Sequence, residues 1–318
     1  MFVTTIALML AVQAPGTPTP GDDIVVTGER LTREAARRYV NDISRPVNDQ
    51  LPAFRNPVCP TVIGMPEENA AVIVERVKKV AKYVGVKVGK PGCATNFRII
   101  VVEDAQAFVS ELHRQKPVFF AGMEKSEIDR LMKDQRPALA WSAVQTQNED
   151  GQVYADYSSG KGQFDRAHGN RVSASGVPTD SESEGAAADV GRATPGGKTQ
   201  RNMSASIIKS STQQAILDSY VVIDSAAANG KTLMQVADYA VMRALAAAQP
   251  PAEATGVDTI LTLFNDGGET PPSLRAPDVA YLKALYSASP TLNKMAQLNR
   301  LTKAVLETSP EEPAGAGK

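Results

Sequence analysis

SYVVIDSAAANGKTLMQVADYAVMRALAAAQ, residues Ser219 to Gln249, joins the clearest buried strand of the chain to its longest apolar-faced helix. Tyr220 to Ile223 is a short β-branched run, and Asp224 to Asn229 is small and polar enough to serve as the loop that leaves it. Thr232 stands three residues before Gln235, the spacing of a capping box, so the helix begins near Leu233. Pro250 and Pro251 end it by Gln249, because proline has no amide hydrogen and forces its predecessor out of helical space. At about 100° per residue, Leu233, Ala237, Ala240, Val241, Ala244, Leu245 and Ala248 share one arc. Thr232, Gln235, Tyr239 and Arg243 lie opposite, on a face expected to meet solvent or a partner.

Upstream, Val58 to Val102 reads as strand, helix, strand. Pro66 with Glu67 and Glu68 opens the helix, and Ala70, Ile73, Val74, Val77, Val80, Ala81 and Val84 carry its apolar stripe. The charges Glu75, Arg76, Lys78, Lys79 and Lys82 read as its solvated face. Leu31 to Ile43 is a charged helix. Asp104 caps one carrying Phe108 and Leu112, Ser126 caps a short one through Met132, and Leu139 to Val144 is a strand. Ile207 and Ile208 read as a strand and Asp258 to Phe264 as an apolar segment. Pro277 and Asp278 open a helix, and Ser289 and Pro290 another with Leu292, Met295, Leu298, Val305 and Leu306 inward. The expected fold class is α+β: one domain with a strand-helix-strand N-terminal half and a largely helical C-terminal half.

That domain spans 31–308, interrupted by an insertion at 148–202. The insertion holds no Leu, Ile, Met or Trp and is rich in Gly, Ser, Asp and Ala, so it reads as disordered. Residues 309–318 form a polar tail. Residues 1–14 read as a signal peptide, since the apolar run Phe2 to Val12 falls short of the roughly 20 residues of a membrane span and Val12 and Ala14 suit signal peptidase. The alternative is an apolar start on a cytosolic chain. Export places the protein in the periplasm or outside the cell, with no transmembrane anchor. The two cysteines, Cys59 and Cys93, then invite a disulfide. A net charge of −1 and 5% aromatics give no reason to expect a nucleic-acid partner.

No Gly-x-Ser-x-Gly, Cys-x-x-Cys or His-Glu-x-x-His occurs, and the two histidines, His113 and His168, do not form a metal set, so no metal and no cofactor is assigned. Ser225 to Thr232 approximates a phosphate loop with Ser in place of the first Gly, which leaves Gly230, Lys231 and Thr232 as candidates for nucleotide binding. Gly191 to Thr199 is a second approximation, one residue too long.

Three resemblances add expectations. Residues 15–30 form an extended linker containing Asp22-Asp-Ile-Val-Val-Thr-Gly28, which resembles the segment of TonB-dependent receptors that pairs with TonB as an added strand. Ile24, Val25, Val26 and Thr27 would then engage a TonB-like envelope protein; otherwise the run is a strand of its own domain. The buried strand, the helix with Ala237-Asp238-Tyr239, and the later Asp278-Val-Ala-Tyr281-Leu-Lys-Ala-Leu285-Tyr286 helix resemble the second half of zincin-type metallopeptidases. They are similar, more closely, to a family of secreted proteins of sphingomonad-like α-proteobacteria that has no established activity to carry over. On the zincin helix Ala237, Asp238 and Val241 stand at the His, Glu and His positions, which implies that the zinc motif is lost. The leading expectation is a non-catalytic exported protein with a binding or envelope-structural role. A secreted hydrolase using Asp238 as an acid is the alternative, against an Asp238 that pairs with a nearby Lys or Arg.

Overall fold

The structure, a computed structural model, describes residues 31–153, 208–252, 255–265 and 270–308. The signal peptide, the linker with the TonB-like Ile24 to Thr27, His168, most of the insertion including Gly191 to Thr199, Ile207 and the tail therefore lie outside the described residues.

The architecture is α+β, and it is organised on the strand that contains Tyr220 to Ile223. That strand, β5 (Thr212–Asp224), is far longer than its β-branched centre suggests. β4 (Ala138–Asn148) runs antiparallel along one of its edges, from Ala138↔Ile223 to Asn148↔Thr212. The other edge is shared end to end by two parallel strands. β1 (Ala53–Phe54) takes Ala215 and Ile216, and β3 (Phe97–Val102) takes Ser219 to Asp224. β2 (Pro60–Ile63) lies parallel outside β3, and α2 (Glu67–Tyr83) connects the two, which is the expected strand-helix-strand unit. After β5 the described chain is helical: a single turn at Ser225–Ala228, then α5 (Leu233–Leu245), α6 (Ala276–Ser287) and α7 (Lys294–Leu306).

Alternation along the strands divides the apolar residues into two cores. Phe97, Ile99, Val221 and Ile223 face the larger one, with Val77 and Val80 of α2, Val241 of α5, and residues of α6, α7 and α1 (Arg33–Ile43). Ile100, Tyr220, Val222, Leu139 and Trp141 face the smaller one under α3 (Ala105–Gln115) and α4 (Lys125–Lys133). Trp141 is stacked between Phe120 and Tyr220, with ring centroids 4.9 and 4.8 Å away. Burial on both faces explains why the strand reads as a continuous hydrophobic run rather than an alternating one.

Several local expectations are corrected. The face of α5 expected to meet solvent or a partner meets protein instead, for every residue from Gln235 to Leu245 is buried. Its polar positions survive burial because each finds a partner: Gln235 Nε2 donates to Pro271 O at 2.7 Å, Arg243 donates to Ala138 O at 3.2 Å, and Tyr239 packs edge-on to Phe264. Arg76, assigned to the solvated face of α2, is also buried, because it lies three residues after Ile73 and one before Val77, on the apolar stripe itself. Asn293, not Ser289 or Pro290, caps α7 by accepting from Ala296 N at 2.9 Å, which turns Met295 outward. Glu124 and Glu127, not Ser126, cap α4. The assigned strand at Ile208 is one bridge, Lys209↔Leu292, and Ile208 is exposed. Asn148, assigned to the insertion, ends β4, and a turn through Gln152 brings Val153 back beside Gln147.

Cys59 and Cys93 form a disulfide with a Cα separation of 6.0 Å, tying the entry of β2 to the turn before β3 and enclosing α2. Gly89 permits this closure, since a Cβ there would meet Cys93 Sγ at 2.5 Å. Among the described residues no helix is long and apolar enough to cross a membrane.

Candidate functional site

Asp238 is the first residue to place. It sits in the middle of α5, wholly inaccessible to solvent, and faces Arg76 of α2, which is 7% exposed. Arg76 Nε donates to Oδ1 at 2.7 Å and Nη2 to Oδ2 at 2.9 Å, a planar two-point pairing. Leu274 N, in the loop leading to α6, donates to Oδ2 at 2.9 Å. The carboxylate thus binds two helices and a loop together, and both of its oxygens are engaged in the core. A general acid must come within hydrogen-bond reach of the substrate atom it protonates, which this geometry does not offer. Ala237 and Val241, the other two positions set on the zincin motif, are buried apolar residues of the larger core.

A second buried carboxylate shows the same pattern. Asp278 opens α6, and its Oδ1 accepts from Tyr39 Oη at 2.8 Å and Thr259 Oγ1 at 2.6 Å. Its Oδ2 accepts from the amides of Ile260 at 2.8 Å and Arg275 at 3.0 Å. Burial pushes this carboxyl up to about 6, against the pull of those four donors. It pins α1, the turn at Ile260–Thr262 and α6 to one another.

The phosphate-loop candidates serve the turn into α5. Ser225–Ala228 is helical, Asn229 N donates to Ser225 O at 3.0 Å and Lys231 N to Ala228 O at 3.1 Å. Thr232 Oγ1 accepts from Gln235 N at 3.1 Å, while Gln235 Oε1 accepts from Thr232 N at 2.8 Å, the capping box expected from the sequence. Gly230 takes a positive φ of 79°, which its lack of a Cβ allows, and Lys231 Nζ donates to Thr270 Oγ1 at 3.4 Å. Of the amides that a phosphate cradle would direct at a ligand, those of Asn229, Lys231 and Thr232 are here spent on the turn and cap.

An accessible concave surface lies elsewhere, at the carboxyl ends of β3 and β5. Glu103, Asp104, Gln106, Ser110, Arg136 and Asp224 line an open polar crevice of about 530 Å³. This is the edge at which open α/β sheets place ligands, because the loops leaving adjacent strands diverge there. Asp224 accepts from Ala105 N and Asp104 Oδ1 from Ala107 N at 2.8 Å, so both acids cap α3. Arg136 pairs in two-point fashion with Asp134; burial pulls Asp134 upward, yet the Arg136 hydrogen bonds outweigh it and hold the carboxyl below its ordinary range. Ser110 donates to Gln106 Oε1 at 3.0 Å. The walls present polar surface but, among the described residues, no nucleophile held against a base.

His113 packs edge-on to Phe120 with centroids 5.0 Å apart, so it supports the smaller core. Among the described residues no three His, Cys, Asp or Glu side chains gather as a metal-binding group. Sequence reasoning missed Arg76, Asp278 and the crevice. The available signals were the i, i+3, i+4 position of Arg76, and acids placed directly after two strands, Glu103-Asp104 and Asp224.

No protein-family model, no curated protein and no solved structure matches the chain.

Proposed function

We propose that the protein is a non-catalytic exported domain with a binding or envelope-structural role, the polar crevice beyond β3 and β5 being its binding face. The observation that carries this reading is the saturated, solvent-free carboxylate of Asp238, the one acid that the zincin resemblance offers for hydrolysis. The disulfide supports the exported part, since such bonds persist in oxidising compartments. The strand-to-helix passage from β5 into α5 and on to α6 supports a degenerate zincin-like layout; the nucleotide alternative loses support because the amides around Gly230, Lys231 and Thr232 are engaged. Asp238→Ala is the test, assayed on peptide and ester substrates beside a melting curve. This reading expects equal background turnover from wild type and variant, with a lower melting temperature. Wild-type turnover abolished in a variant that melts normally would establish the hydrolase instead. A TonB-like partner for Ile24, Val25, Val26 and Thr27 is checked by deleting residues 22–28, which should remove binding to a TonB C-terminal domain.

A further inference from the structure

Among the named strands β4 pairs with β5 alone, and part of its outer edge is open. Asp224 N donates to Pro137 O at 2.8 Å, which makes the two a hydrogen-bonded pair and sets the odd-numbered residues at the start of β4 to bond β5. Ala138, Ala140 and Ser142 therefore turn their amides and carbonyls away from β5. Ala138 O accepts from Arg243 Nη1 at 3.2 Å. Farther along, the loop at Gly122 lies against the strand, since a Cβ there would meet Val144 O at 3.0 Å. Between these points the backbone groups of Ala140 and Ser142 have no partner among the described residues, and neither residue is buried. Such a row of groups is a template for an added strand.

Guanidinium groups flank the same edge. Arg243 is 3% exposed, and its Nε has no hydrogen-bond partner among the described residues. Arg136 stands two residues before Ala138 and is held in two-point fashion by Asp134, whose carboxyl also feels the charge of Arg243. Arg45 follows α1, in a segment that touches β4 where Asn48 Nδ2 donates to Thr146 Oγ1 at 3.2 Å. Burial lowers the Arg45 pKa, the positive charges of Arg130 and Arg136 lower it further, and Asp42 opposes them. Because Asp134 is already held by Arg136, cationic charge predominates beside the unpaired backbone.

We propose that this edge docks an extended acidic peptide of a partner protein, which adds as a strand along Ala140 and Ser142 while its carboxylates meet Arg45, Arg130 and Arg136. Strand addition takes its affinity from main-chain hydrogen bonds, and the flanking charges select the partner by complementarity. The site does not rest on the function proposed above: Asp238 takes no part, and Arg136 is the one residue named here that also lines the crevice.

The probe is the acetylated and amidated peptide Asp-Asp-Val-Thr-Val-Thr, titrated calorimetrically into the oxidised protein, with Lys-Lys-Val-Thr-Val-Thr and Asp-Asp-Val-Pro-Val-Pro as controls. Only the first should give saturable heat, because the second reverses the charge and proline removes ladder donors from the third. Binding should slow amide hydrogen exchange at Ala140 and Ser142. Arg130→Gln, at an exposed position, should weaken binding a few-fold and Arg45→Gln/Arg130→Gln about tenfold, with folding checked by melting curves. No heat from the acidic peptide, equal heat from the lysine peptide, or bound peptide without slowed exchange at Ala140 and Ser142 would each overturn the proposal. So would unchanged affinity in either variant when it melts as wild type does. Binding that appears only after residues 22–28 are deleted would assign the edge to the chain's own Asp22-Asp23 run and overturn it as well.

Discussion

Replacing Asp238 by Ala removes the carboxylate from a node in which Arg76 Nε, Arg76 Nη2 and Leu274 N all converge within 2.9 Å. What remains is a guanidinium 7% exposed in the larger core with nothing to balance it. Breaking one side of a buried pair costs about 3–5 kcal/mol, and the stranded Leu274 amide is part of that penalty. Since domains of this size are stable by about 5–15 kcal/mol, the variant should unfold at much lower guanidinium chloride concentration and melt roughly 10 °C lower. Trp141, the chain's single tryptophan, sits in the other core and reports global unfolding without touching the mutated site. The double variant Arg76→Met/Asp238→Leu removes both charges. It should recover most of the loss, because apolar replacement of a whole buried pair is often close to neutral, with only the Leu274 amide left unpartnered. A single variant within about 1 kcal/mol of wild type, or a double variant no more stable than the single, would refute the reasoning.

Reducing the Cys59–Cys93 bond, which closes a separation of 34 residues, should lower stability by about 4 kcal/mol on the loop-entropy model; equal melting with and without reductant would contradict that. Asp278, raised from 3.8 to about 6 by burial, binds its proton more tightly in the folded chain than in the unfolded one. Its contribution is therefore fully present at acid pH and declines by about 3 kcal/mol as pH rises from about 4 to above 6. The stability difference between wild type and Asp278→Asn should shrink by that amount over the window, and a flat difference would disprove it. Thr232→Ala should destabilise the protein by about 1 kcal/mol through loss of the α5 cap; a null effect on denaturant midpoint would argue against the cap.

The order of the main elements was legible because each carries a local rule that tertiary structure respects. Thr232 and Gln235 form their box, Asp104 caps α3, and Val221 and Ile223 lie in the larger core. What could not be read was which polar residues the fold draws inside. The period of α5 separates an apolar arc from Gln235, Tyr239 and Arg243, yet packing covers both sides, and only long-range partners such as Pro271 and Ala138 make that tolerable. Arg76 and Asp238 are 162 positions apart, so their pairing has no local signature. Asp278 was visible as a helix opener, while its bonds to Tyr39 and Thr259 depend on three elements meeting. The crevice likewise exists only once β3 and β5 are adjacent and parallel, which brings Glu103, Asp104 and Asp224 to one edge.

Asp238 and the Gly230-Lys231-Thr232 turn either serve the fold, as their saturated hydrogen bonds imply, or serve ligand chemistry. The melting temperature of the oxidised mature protein separates the two most sharply, measured with zinc and with Mg-ATP. Residues that serve the fold alone leave the melting temperature unmoved by either ligand. A rise of several degrees, which a ligand at 100 times its dissociation constant would produce by stabilising the fold about 2.7 kcal/mol, would show that one of them binds after all.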